Sequence, residues 1–127
     1  MQEPDFYEYA IIRIVPRVER QEFINAGIIL FSKSAKYLKA RIYINESKLN
    51  CFESEIELDA IKKNLAAFTA VCEGNKDSGP VGLDDLPSRF RWLTAVRSSS
   101  IQTSRPHVGS STDLDKTFER LYKEMVL

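Results

Sequence analysis

This chain lacks the spacings that most often give an activity away. It has no P-loop, no G-x-G-x-x-G, no H-E-x-x-H and no G-x-S-x-G. Those absences remove the common signatures of phosphate cradles, zinc hydrolysis and serine hydrolysis. Only two cysteines occur, Cys51 and Cys72, and they form no C-x-x-C pair, so the spacing does not fit structural zinc. Each falls in an apolar, helix-like stretch and is expected to be a reduced, buried thiol. No metal ligand set and no cofactor are expected. Net charge is also lacking: 18 basic and 18 acidic residues cancel. Nothing in that balance favours non-specific attraction to membranes, and nucleic acid is not the expected partner. No apolar run approaches the length that spans a bilayer, and the N-terminus has neither the basic nor the apolar region of a signal peptide. The expected address is the cytoplasm.

What is present fits one globular domain covering residues 1–127, with 43% hydrophobic and 28% charged residues. Residues 6–15, FYEYAIIRIV, are aromatic and β-branched and end at Pro16. Both faces are apolar at the centre, which marks an interior strand. Residues 23–31 read as a second strand, with Ile24, Ala26, Ile28 and Leu30 on one face. Residues 37–44 alternate cleanly, with Leu38, Ala40, Ile42 and Ile44 inward and Lys39, Arg41 and Tyr43 outward. Short links between the three predict an antiparallel meander.

The period then changes. Asn45 can cap a short helix, and Ser54 to Glu57 has the spacing of a capping box. Leu58, Ile61, Leu65, Phe68 and Cys72 form one helical stripe that stops at Gly74. Residues 75–82 read as a loop. Pro87 suits the first turn of a helix running to about Val96. Residues 97–104 read as a fourth strand or an extended edge, and residues 105–110 as a loop. Thr112 is placed to cap a last helix, whose stripe is Leu114, Phe118, Leu121, Tyr122 and Met125. The expected fold is therefore α+β: an antiparallel sheet of three to four strands in a meander, with helices packed mainly on one face.

Few residues invite a chemical role. Arg13 interrupts an otherwise apolar strand, and a guanidinium there needs an acceptor. Glu19 or Glu22 can supply one, giving a structural ion pair. The other reading is an anion site. In a meander, Arg13, Asn25 and Arg41 share a sheet face, with Tyr9 and Tyr43 flanking them and Gly27 leaving a gap. His107, the single histidine, reads first as a loop residue bonded to backbone or solvent. As a catalyst it would be a general acid or base with Glu19 or Glu22 as its carboxylate. Arg13 and Arg97 would then hold an anionic substrate. Arg89, Arg91, Arg97 and Arg105 alternate with Phe90 and Trp92. That mixture can bind single-stranded nucleic acid. The expected arrangement is a core of Phe90 and Trp92 beneath a solvated arginine rim.

Two segments carry a resemblance. The first contains Tyr7, Tyr9, Ala10, Arg13, Val15, Pro16, Glu19, Arg20, Glu22, Phe23, Asn25 and Gly27. The second contains Arg89, Phe90, Trp92, Leu93, Arg97, Ser98, Gln102, Ser104, His107 and Gly109. Together they resemble domain-of-unknown-function family 3037. The resemblance implies a small stand-alone bacterial protein, and it implies a HipA-like kinase as protein partner. It gives weight to Arg13, Glu19, Arg20, Glu22, Asn25, Arg97, Gln102 and His107, as a polar site or as an ion-pair network. The expected function is a non-catalytic binding or accessory module for a protein partner or an anionic ligand, with Arg13, Asn25, Arg41, Arg97 and Gln102 as binding residues. The alternative is an enzyme acting on a phosphate-containing or nucleic-acid substrate, with His107 as general acid or base.

Overall fold

The computed structural model describes residues 3–52, 57–75, 79–95, 97 and 99–127. Strand β1 (Asp5–Ile14) forms where aromatic and β-branched residues crowd together. A 3-10 turn (Val18–Arg20) leads into β2 (Ile24–Ser32), and a tight turn leads into β3 (Tyr37–Ile42). Helix α1 (Glu46–Leu49) is capped as expected, the Asn45 side chain accepting the Lys48 amide. Helix α2 (Leu58–Glu73) starts from Glu57 without a side-chain cap and ends at Gly74. Ser54, which opens the expected capping box, lies outside the described residues. Helix α3 (Leu86–Leu93) carries Pro87 in its first turn and is capped by Asp85, which accepts the Ser88 amide. Val96, expected at its end, also lies outside the described residues.

Two short strands follow, β4 (Ile101–Thr103) and β5 (His107–Ser111), and then helix α4 (Leu114–Met125). Asp113 caps α4, and Thr112 does not. The stretch 105–110, expected to be a loop, is thus mostly strand. Its own strand propensity is low, and pairing with β1 supplies the order. Tyr7 lies over Gly109, where any side chain would collide with the ring.

All contacts in the sheet are antiparallel, in the order β3-β2-β1-β4, with β5 also on β1. β4 pairs Ile12–Ile14 and β5 pairs Asp5–Tyr9, so the two short strands follow one another along the same side of β1. The sheet therefore has five strands.

The sheet is covered on both faces. Ala10, Ile12 and Ile14 meet Ile29, Phe31 and the stripes of α2 and α3, including Ile61, Leu65, Phe68, Phe90 and Leu93. On the opposite face, Tyr7, Ile28 and Leu30 meet Leu114, Phe118 and Leu121 of α4. With Leu49 of α1 in the first core as well, three of the described helices share one face and α4 lies on the other. The strict alternation expected along β2 breaks. Ile12 pairs Gly27 while Arg13 pairs Asn25, which leaves Ala26 as the extra residue of a β-bulge. Ile24 and Ala26 consequently belong to the first core, and Ile28 and Leu30 to the second.

Gly27 sits in that bulge. A Cβ there would stand 2.6 Å from the Arg41 carbonyl oxygen and 2.9 Å from Ile42 Cδ1. Gly27→Ala should therefore lower unfolding free energy by about 1–3 kcal/mol, as overpacked sites do. Phe118→Ala should cost about 3–5 kcal/mol by emptying the centre of the α4 core. Urea denaturation checks both. Values within experimental error of the parent would refute the packing described.

Candidate anion-binding site

Arg13 pairs with Asn25 on one side and with Gln102 on the other. Strand alternation puts all three side chains on the α4 face, in one row across three strands. The row lies at the C-terminal end of α4, since Asn25 Nδ2 donates to the Met125 carbonyl at 3.0 Å. Gln102 Nε2 donates to the Ser99 carbonyl at 2.9 Å. The Arg13 guanidinium stacks on Phe23, 3.9 Å from the ring centroid, and its buried Nε has no hydrogen-bond partner. Among the described residues no carboxylate pairs with it. Stacking occupies a face of the guanidinium plane and leaves its N–H edges for an acceptor.

The expected ion pair is not what is found. Glu19 accepts from Arg17 Nε at 2.8 Å, and Glu22 accepts from Arg20. The Glu19 carboxyl is held below its ordinary value by a backbone hydrogen bond and then by Arg17. Arg41 does share the α4 face, but it already has an acceptor. Its Nη1 and Nη2 donate to Glu119 of α4 at 2.7 and 2.8 Å, above the rings of Phe118 and Tyr122. That fork holds the Glu119 carboxyl below the ordinary glutamate value. Tyr37 donates to Asp115 at 2.8 Å, and burial followed by that bond raises its hydroxyl pKa. Arg41 therefore ties β3 to α4. Nor does Gly27 open a gap on this face, because its missing Cβ would point at Ile12 and Ile42 of the other core.

Arg97 belongs elsewhere. It lies 4.8 Å over the Trp92 ring and donates to the Trp92 and Ala95 carbonyls, on the α2–α3 side of the sheet. His107 is opposite Tyr9, with ring centroids 5.3 Å apart. Arg13 is four residues farther along β1, which is about 13 Å of strand. Glu19 and Glu22 lie beyond that far end of β1, at and just after the 3-10 turn. The histidine, the carboxylates and the arginine thus do not meet in one relay.

The arginine series is also dispersed. Arg89 reaches the Gly82 carbonyl beside the end of α2, and Arg91 forks onto Glu8 at 2.8 and 2.9 Å. Phe90 is buried as expected, whereas Trp92 is 44% exposed. Two residues along a helix point to different sides, so helical spacing was the signal that separates them. Phe23 as the platform for Arg13 was not anticipated, because it depends on how the link before β2 turns.

The described residues contain no group of three or more His, Cys, Asp or Glu that could hold a metal ion. No helix among them is long and apolar enough to cross a membrane.

Cys72 is buried, and burial pushes its thiol up to about 12. Cys51, contrary to expectation, is exposed. Iodoacetamide at pH 8 should therefore label Cys51 alone in the folded protein, and both thiols in urea; intact mass reads the difference. Double labelling without urea would contradict the burial. The depressed Glu119 carboxyl makes its contribution to stability present above 4.5, the ordinary value, and lost as pH falls through the lower folded value. Glu119→Gln should flatten the decline of melting temperature below pH 4.5. An unaltered acid limb would show that the Arg41 pair contributes nothing to folding.

A family model described as a protein of unknown function, DUF3037, matches residues 9–126. No curated protein and no solved structure matches the chain.

Proposed function

We propose that this chain, which belongs to the DUF3037 family of proteins of unknown function, is a non-catalytic module that binds an acidic group of a protein partner through Arg13. The observation that carries this reading is the guanidinium stacked on Phe23 at 3.9 Å, with no carboxylate paired to it among the described residues and no partner for its Nε. Such a group binds a carboxylate through paired N–H donors. Asn25 and Gln102 flank it with amides, which donate and accept hydrogen bonds but do not titrate near neutral pH. The row is therefore suited to holding an anion and unsuited to moving a proton. A HipA-like kinase, the partner that the resemblance implies, would present an aspartate or glutamate here. Arg41, engaged with Glu119, serves this site by fixing α4 at its edge.

The test compares capture of a partner by the parent protein, Arg13→Ala and Arg13→Lys, with circular dichroism to establish folding. Arg13→Ala should weaken binding tenfold or more, equivalent to about 1.4 kcal/mol. Arg13→Lys should recover only part of it, because a lysine cannot fork. A partner retained equally by all three would sink this reading, as would a substrate turnover that Arg13→Ala abolishes.

A further inference from the structure

A cavity lies on the opposite side of the sheet from Arg13. It is a cleft of about 480 Å³ between the later turns of α2, the end of α3 and the start of β4. Phe68, Val71 and Ile101 give it an apolar floor. Trp92 and Arg97 form one wall, the guanidinium 4.8 Å above the indole. Ser100 adds a hydroxyl at the rim.

The charge of this cleft is one-sided. Among the described residues its lining holds no acidic group, and Arg97 is the one charged side chain there. The hydrogen bonds of Arg97 go to the Trp92 and Ala95 carbonyls, and among the described residues no carboxylate pairs with it. Tryptophan and arginine are side chains that concentrate binding energy at recognition sites, and here a half-exposed Trp92 and Arg97 face the same cleft. The volume is that of a small-molecule site, and such sites combine an apolar lining with a few fixed polar groups.

We propose that this cleft binds an organic carboxylate with an apolar body, the body on Phe68, Val71 and Ile101 and the carboxylate on Arg97. A free aliphatic acid and the C-terminal residue of a peptide share that chemistry. Trp92 is the single tryptophan of the chain, so its emission reports on this cleft without a label.

The experiment titrates the full chain with octanoate, with 1-octanol, and with a pentapeptide ending in leucine as free acid or as amide. Octanoate should give a saturable blue shift of Trp92 emission, with at least tenfold higher affinity than 1-octanol. Arg97→Gln should abolish that preference, and Ala67→Phe, which fills the cleft, should abolish the shift. Tighter binding by the free-acid peptide than by octanoate, with no response to its amide, would assign the ligand as a partner's chain end. The reverse order would assign a small acid. Equal affinity for octanoate and 1-octanol overturns the proposal, as does a lack of saturable response to octanoate and the free-acid peptide alike. The acid-versus-alcohol comparison needs only the parent protein, so a misfolded variant cannot obscure it. Arg13→Ala should leave the response unchanged, which keeps this cleft and the Arg13 row separately testable.

Discussion

β1 is apolar on both faces at once, and every other element is arranged around that fact. Ala10, Ile12 and Ile14 require one cover, and Tyr7 and Tyr9 require another. Helices α2 and α3 supply the first and α4 the second. A strand buried on both faces also needs partners along both edges, because unpaired amides in a dry interior cost more than the apolar burial returns. β2 takes one edge, and β4 and β5 divide the other. Where the ladder ends, single groups finish the pairing. The Ile11 amide donates to Ser104 Oγ at 2.9 Å, and the Ser104 amide donates back to the Ile11 carbonyl at 2.8 Å.

This double cover decides where binding groups can be. α4 is twelve residues long and ends at Met125, whose carbonyl meets Asn25 in the Arg13 row. Its charged flank is neutralised by the sheet, Arg41 with Glu119 and Lys39 near Asp115. Arg13, Asn25 and Gln102 are what the helix leaves over. On the other face, the cleft at Trp92 arises where α3 ends at Leu93 and β4 has not yet begun. Both places are margins of the same packing: polar side chains survive there because no helix extends far enough to demand an apolar one.

Much of this was legible in the residues. The three long strands, the two-sided character of residues 6–15 and the α2 stripe follow from period and β-branching. Arg13, Asn25 and Arg41 do share a face, but only because the Ala26 bulge turns Asn25 onto it. Gln102 joined that row through the pairing of β4, which its polar sequence left open. The Ala26 bulge was hidden, because one extra residue inverts the faces of β2 without changing its composition. β5 was hidden because His-Val-Gly-Ser-Ser has little strand character apart from Val108, and its order comes from Tyr7 and β1. The partners of Arg41 and Arg91 were hidden for a related reason. Glu119 and Glu8 are distant in sequence, at separations of 78 and 83 residues, and only the tertiary fold brings them close. Nearby glutamates looked like the natural partners of Arg13, yet Arg17 and Arg20 are closer and take them.

The route of the chain has a consequence for synthesis. β1 is made well before the segments that close its second edge; the Ile11 to Ser104 bond spans 93 residues. The α4 core needs Leu114, Phe118 and Leu121 before Tyr7, Ile28 and Leu30 are covered. A ribosome therefore extrudes an aromatic, β-branched strand long before its second edge and its α4 face can be covered. Folding dominated by such distant pairings is slow, and exposed strand edges are where nascent chains associate wrongly. Until residues 101–125 have been made, β2, α2 and α3 can cover one edge and one face of β1, while its second edge and its α4 face stay open.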